Sequence, residues 1–348
     1  MTTPADVIIY AFMVALIESL RPKQWLKNLF VLAALAFSRN FTNTPLLLKT
    51  MEAFGVFCLL SSACYIFNDI MDARADRLHP VKSKRPIASS RLPVIPALIV
   101  AIILLVVSLG WAARLSLPIK SQTGLPFFHI CLTYAVLQIL YSLVLKKIII
   151  LDALVIAAGF VLRMVAGAVV IDIAISKWLY ICTISLSLFI AFSKRRAEMT
   201  VLETPENHRP VLGQYSPYLL DQMISALTAS TIMAYTLYTL ADETVAKVGS
   251  QNMLLTIPFV VYGIFRYLYL VHPVRDRSPQ RDDRSNGAEY INSTGHPNID
   301  VFSNAKSNIS NGVNQEQQGG EPENIILADK PLLISILLWA TAVVIIMY

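Results

Sequence analysis

Tyr65-Ile66-Phe67-Asn68-Asp69-Ile70-Met71-Asp72-Ala73-Arg74-Ala75-Asp76-Arg77 is the stretch that decides how this chain is read. It follows without a break on an apolar run, 47–67, of the length that crosses a bilayer. On a helix, Asp69, Asp72 and Asp76 stand at i, i+3 and i+7 and share one face, with Asn68 one turn before Asp72. Three carboxylates that close repel one another, and a hard divalent cation relieves the repulsion. Mg²⁺ takes oxygen ligands and shares them with substrate phosphates. The next segment, His79-Pro80-Val81-Lys82-Ser83-Lys84-Arg85-Pro86, is basic. A metal-competent acidic face beside a basic turn suits a diphosphate. The plainer reading is a solvated helix end with internal charge pairs, but solubility alone explains poorly the pattern N-D-x-x-D-x-x-x-D at a membrane boundary.

The rest of the chain supports a membrane setting. Of 348 residues, 55% are hydrophobic and 15% charged, against about 25% charged in soluble domains. Mean hydropathy is +0.57. A soluble protein this apolar would expose large adhesive patches. Nine segments qualify as spans: 24–38, 47–67, 93–113, 125–143, 150–171, 176–193, 219–240, 252–271 and 331–347. Residues 6–20 are expected to form an amphipathic or interfacial lead-in, cut off by Pro22. With Asp6 and no basic stretch ahead of it, this start does not resemble a cleaved signal peptide. Cys58, Cys64, Cys131 and Cys182 lie in apolar runs without metal-like spacing and read as core residues.

Of the 29 Lys and Arg, 21 fall on the N-terminal side of this topology and 6 on the other, with Arg163 and Arg266 inside spans. That bias places the N-terminus and the long loops in the cytoplasm of a multi-pass cell-membrane protein. Residues 274–324, rich in Asn, Ser, Gly and Gln, read as a disordered cytoplasmic insert, so the sequons at Asn292 and Asn308 carry no meaning. The expected organisation is one transmembrane domain, 1–273 with 325–348, interrupted by that insert.

Two further groups carry charge to the same side. Tyr141-Ser142 and Lys146-Lys147 precede Asp152 and Arg163, and eleven residues, close to three turns, put these last two on one face. An ionisable residue inside a span faces the protein interior or a wet cavity. The pair reads either as part of a site or as a structural Asp–Arg lock. Lys194-Arg195-Arg196-Ala197-Glu198 closes the sixth span. Three cations there are also what positive-inside anchoring alone produces. Arg266 reads as snorkelling or paired.

Asn68–Asp76 resembles the first aspartate motif of the UbiA superfamily of intramembrane prenyltransferases. The likeness extends over most of 18–271 and 325–348. Within that superfamily Arg21-Pro22-Lys23-Gln24-Trp25-Leu26-Lys27-Asn28 is similar to the start of the branch that transfers phosphoribose to decaprenyl phosphate. His79–Ser89, Tyr141-Ser142 with Lys146 and Asp152, and Lys194-Arg195 with Glu198 are similar to it as well. The resemblance implies an all-α, nine-helix bundle around a cavity open to the membrane and capped by cytoplasmic loops. One departure bears on the substrate. Prenyltransferases carry a second aspartate cluster near the end of the sixth span, where this chain is cationic.

The implied activity is Mg²⁺-dependent transfer of 5-phosphoribose from phosphoribosyl diphosphate to a polyprenyl phosphate, in the supply of lipid-linked sugars for the cell envelope. A prenyltransferase using a prenyl diphosphate and an aromatic or lipid acceptor stands as the alternative. A transporter would want its ionisable residues at mid-membrane rather than at one face. The expected metal set is Asn68, Asp69, Asp72 and Asp76, with Asp69, Asp72 and Asp152 in catalysis. Lys23, Lys82, Arg85, Tyr141, Lys146, Arg163, Lys194 and Arg195 are the candidates for substrate binding. Expected partners are the two substrates and membrane lipid, without nucleic acid; homo-oligomerisation is left open.

Overall fold

The computed structural model describes residues 4–79, 81–116, 126–201, 210–272 and 322–348. The described residues are helical and contain no strand. Helix α1 (Pro4–Leu20) leads into a 3₁₀ segment (Pro22–Leu32) that runs on as α2 (Ala33–Phe37). The bundle continues with α3 (Thr44–Arg77), α4 (Val94–Ser116), α5 (Phe127–Leu143), α6 (Leu151–Val170), α7 (Lys177–Val201), α8 (Pro217–Leu240), the short α9 (Asp242–Val248), α10 (Ile257–Val271), the short α11 (Pro322–Ala328) and α12 (Lys330–Met347). The expected insert 274–324 lies outside the described residues as far as Pro322, where α11 begins.

Among the described residues seven helices are long and apolar enough to cross a membrane, and the 17-residue α5 is a shorter apolar one. Eight expected spans coincide with α3, α4, α5, α6, α7, α8, α10 and α12. The first, 24–38, falls on the 3₁₀ segment and α2 instead of one α-helix. A 3₁₀ helix rises about 2.0 Å per residue against about 1.5 Å for an α-helix, so these 16 residues reach about 30 Å, the thickness of the hydrocarbon core.

Sequence sets the helix starts. Asn43, Ser216 and Asp329 cap α3, α8 and α12, their side chains accepting from the amides of Leu46, Leu219 and Leu332, and a proline follows within two residues in each case. The outward face of α4 exposes Ile95, Leu98, Ile99, Ile102, Ile103, Val106 and Val107, a surface for acyl chains. Between helices small residues dominate. On α6, Ala153, Ala157, Gly159, Ala166, Gly167 and Ala168 are buried, as expected where backbones approach closely. The closest approach is at Gly167, where a Cβ would stand 1.8 Å from the carbonyl oxygen of Val31.

α3 positions the site. Its 34 residues extend about 51 Å, roughly 20 Å more than the hydrocarbon core needs. The excess carries Asn68–Arg77 beyond the apolar layer without a break in the helix. α1 packs its Phe12, Ala15, Leu16 and Leu20 in a cluster with Ile66, Ile70 and Ala73 of α3 and Ala97 and Ala101 of α4. Its other face, Val7, Ile9, Tyr10, Met13, Val14 and Ile17, is exposed and apolar. α10 and α12 are tied by Arg266, which donates from Nη2 to Asp329 at 2.8 Å, so Arg266 is paired.

Candidate active site at the aspartate-bearing end of the bundle

The three aspartates of α3 are each met by a cation from a different connection. Arg21, Arg85 and Lys146 arrive from the α1–3₁₀ junction, the 81–92 loop and the α5–α6 connection. Arg85 donates from Nη1 to Asp69 Oδ1 at 3.1 Å and to Asp76 Oδ2 at 2.7 Å, bridging two turns of the helix. Arg21 donates to the same Asp69 oxygen. Lys146 donates to Asp72, to which Asn68 also donates at 3.1 Å. Asp69 and Asp76 are buried and Asp72 half-buried.

Arg21 was not among the site residues expected from the sequence. It reaches Asp69 because it adopts a left-handed conformation, φ 53° and ψ 60°, between α1 and the 3₁₀ segment. Pro22 disfavours the right-handed helical region for the residue before it, and Arg21 also stacks over the Tyr65 ring at 5.3 Å. The Arg-Pro dipeptide between two apolar stretches was the available signal.

A second cluster lies where α6 begins and α7 ends. Asp152 is fully buried, and its two oxygens have separate partners: Arg195 donates from Nε to Oδ2 at 2.7 Å and the Tyr215 hydroxyl donates to Oδ1 at 2.9 Å. Arg195, also fully buried, donates from Nη1 to Glu198 at 2.6 Å and from Nη2 toward the Tyr141 hydroxyl at 3.5 Å. The hydroxyl of Tyr215 accepts from the Ile150 amide at 2.7 Å. Burial first, and the Asp152 carboxylate second, push the Tyr215 phenol above its ordinary range, so it stays protonated and donates. Tyr141 and Lys146 flank one connection, so the two clusters meet across it: Tyr141 touches Arg195 and Lys146 holds Asp72.

Asp152 and Arg163, expected on one face, have different partners. Arg163 lies deeper in the bundle, donating to the Asn28 side-chain oxygen at 2.8 Å, the Gly159 carbonyl at 2.9 Å and the Tyr134 hydroxyl at 2.7 Å. Its guanidinium sits 4.8 Å from the Tyr134 ring centroid. These contacts fasten the 3₁₀ segment and α5 to α6. Of the remaining expected residues, Lys82 and Lys194 are half-buried and Lys23 is exposed. Tyr215 carried no sequence signal, because a tyrosine hydrogen-bonded to a charge looks like any other until its partner is known; Asn28 stood at the end of the Arg21–Asn28 stretch, but nothing there gave its partner.

Among the described residues no three His, Cys, Asp or Glu side chains converge as a ready-made metal cage. Mg²⁺ does not require one, since it usually takes one or two carboxylates and completes its shell with water and substrate phosphate. The donors on α3 are hard oxygens on one face, each carboxylate met by an Arg or Lys. The residues fit Mg²⁺ shared with a phosphate ligand, with Asp69 and Asp72, supported by Asn68 and Asp76, as the groups to hold it.

The model of the UbiA prenyltransferase family matches residues 28–288. Decaprenyl-phosphate phosphoribosyltransferase from Corynebacterium glutamicum is 34% identical over 256 residues, covering 72% of this chain and 75% of that protein. Its namesake from Mycolicibacterium smegmatis is 32% identical over 266 residues, covering 72% and 80%. Among solved structures, a UbiA homolog from Archaeoglobus fulgidus bound to GPP and Mg²⁺ aligns over 96% of this chain and 99% of its own, with a TM-score of 0.59 and 17% identity, a likeness of fold. The chain belongs to the UbiA prenyltransferase family.

Proposed function

We propose that this protein transfers 5-phosphoribose from phosphoribosyl diphosphate to a polyprenyl phosphate, with decaprenyl phosphate, named in its relatives, as the first acceptor to test. The bond between ribose C1 and the diphosphate oxygen breaks, and the diphosphate leaves with the electron pair. A bond forms between C1 and an oxygen of the lipid phosphate. That oxygen is already anionic, so no general base is needed.

The observation that carries this reading is the end of α7. Prenyltransferases resembling this chain place a second carboxylate cluster there, whereas here the sequence is Lys194-Arg195-Arg196-Ala197-Glu198, and its one carboxylate is held by Arg195. Arg195 is held by Asp152 and Glu198 and Arg196 donates to Asp221 at 2.7 Å, so Lys194 is the candidate at this end for direct contact with a phosphate. The relatives at 32–34% identity that bear the phosphoribosyltransferase name support the same assignment.

Asp69 and Asp72, with Asn68 and Asp76, would hold Mg²⁺, whose charge offsets that of the departing diphosphate. Arg85 and Lys146, now on the carboxylates, turn their donors to phosphate oxygens when substrate enters; Lys23, Lys82 and Lys194 add positive charge at the same end. Asp152, expected from the sequence to face the ribose, is fully buried with both oxygens taken by Arg195 and Tyr215, so it acts by fixing the head of α6 rather than by touching substrate. Arg195 acts through Asp152 as a positioning residue, and Arg163 ties the 3₁₀ segment and α5 to α6. In this reading the aspartate-bearing end faces the cytoplasm of a cell membrane, which the Lys and Arg bias of the loops supports.

The test is a choice of substrates. Purified protein is given phosphoribosyl diphosphate with polyprenyl phosphate, or a prenyl diphosphate with an aromatic acceptor, each with Mg²⁺. A phosphoribosylated lipid in the first mixture only supports the proposal; a prenylated product in the second only returns the prenyltransferase reading.

A further inference from the structure

Ile150 is a β-branched residue at φ 67° and ψ −46°, a region such residues rarely enter. The amide of Leu151 donates to the carbonyl of Ile149 at 2.7 Å, which closes a γ-turn of the rare, strained kind around Ile150. This turn joins the connection bearing Lys146 to the first turn of α6 bearing Asp152. Strain of this sort persists only when the surroundings over-determine it. The Ile150 side chain does little to hold the turn, since it is 39% exposed. The Tyr215 hydroxyl does far more, accepting from the Ile150 amide and donating to Asp152. Its ring is buried and packs edge-on against Phe192, with centroids 6.4 Å apart, so the hydroxyl is fixed by the packing between α7 and α8.

We infer that Tyr215 is a positioning residue that holds the strained turn at Ile150 closed, and thereby fixes both Asp152 and the connection that presents Lys146 to Asp72 and Asn68. Within 141–152 the turn is spanned by backbone bonds, from the Leu151 amide to Ile149 and from the Asp152 amide to Ile148 at 3.1 Å, to which Tyr215 adds a side-chain clamp. The clamp comes from the far half of the chain, so the geometry at the head of α6 depends on how the segment before α8 is seated. The effect on catalysis rests on the proposed reaction, while the effect on the turn does not.

The experiment uses the full-length protein in detergent with Tyr215→Phe, Ile150→Gly and the double variant. Tyr215→Phe keeps the ring and removes only the hydroxyl. Glycine accepts positive φ without strain, so Ile150→Gly should make the clamp less necessary. Amide hydrogen exchange at 148, 149, 151 and 152, leaving out position 150 whose own acceptor is the Tyr215 hydroxyl, should rise in Tyr215→Phe and fall back in the double variant, read without substrate. The rate constant kcat should drop about 10- to 100-fold in Tyr215→Phe, the size expected for losing a hydrogen bond to a charged group. In the double variant it should recover to within a few-fold of Ile150→Gly alone. Exchange in Tyr215→Phe equal to wild type, or a double variant no better than Tyr215→Phe, overturns the inference. Failure of wild type to make the lipid product counts against the reaction only, and the exchange data then decide the role of Tyr215.

Discussion

Gly167→Ala adds one methyl group to α6, deep in the bundle, and its consequence can be worked from the structure. The new Cβ would stand 1.8 Å from the Val31 oxygen, 2.7 Å from its carbonyl carbon and 3.1 Å from its Cα. All three are backbone atoms, so no rotamer change can relieve the clash. Reaching even the closest separation real Cβ atoms show, 3.0 Å, requires the 3₁₀ segment to back away by about 1.2 Å. That segment begins beside Arg21, which holds Asp69, and contains Asn28, which holds Arg163. Overpacking of this kind costs about 1–3 kcal/mol of stability, and a displacement of about 1 Å at a reacting centre can cost on the order of 100-fold in rate. The control is Gly110→Ala on α4, where a Cβ meets nothing within 4 Å and an interior helix glycine replaced by alanine gains about 1 kcal/mol. Thermal unfolding and kcat/KM of both variants should separate them, with Gly167→Ala impaired in both and Gly110→Ala in neither. If the two behave alike, the tight seat of the 3₁₀ segment on α6 does not exist as described.

Three further outcomes follow from the same geometry. Asp69→Asn and Asp72→Asn should each abolish turnover while the protein stays folded in detergent, and EDTA should do the same to wild type; full activity in EDTA would remove the metal from the account. Arg195→Ala strands the buried Asp152 together with Glu198, and should cost about 3–5 kcal/mol of stability as well as activity, seen as a clear fall in the unfolding midpoint; an unchanged midpoint would mean that the buried pair is not formed. Lys194→Ala should instead leave stability nearly unchanged and lower kcat/KM by about 30- to 1000-fold, the equivalent of about 2–4 kcal/mol for a desolvated phosphate contact; a loss under about 1 kcal/mol would mark an exposed anchoring charge.

The sequence was most informative where a single helix carries the signal. Asp69, Asp72 and Asp76 are placed by periodicity within α3, and the structure keeps all three at one end of the bundle. Apolar length located a helix at eight of the nine expected spans, seven of them among the described residues long enough to cross a membrane, for the same reason: burial in lipid is a local property of a run of residues. The first span was not legible as 3₁₀, because the tighter winding is imposed by contacts such as Asn28 with Arg163 and Val31 with Gly167, which join residues more than a hundred positions apart. Partner choice failed likewise. Asp152 and Arg163 do lie on one helix, but Asp152 is held by Arg195 and Tyr215 from other elements, and spacing along one helix does not reveal a competitor from another. Arg21 reaches Asp69 through one left-handed residue, a conformation that no periodicity encodes.

The central claim is that the ribose moves and the diphosphate stays behind. Phosphoribosyl diphosphate carrying one label in the ribose carbons and another in the β-phosphate tests it directly, in a mixture of purified protein, decaprenyl phosphate and Mg²⁺ that is then partitioned between organic and aqueous phases. The account predicts the ribose label in the organic phase, the β-phosphate label in the aqueous phase as diphosphate, and no transfer when either Mg²⁺ or the lipid phosphate is omitted. Both labels remaining aqueous in the complete mixture, while a prenyl diphosphate offered to the same preparation is consumed, would contradict it.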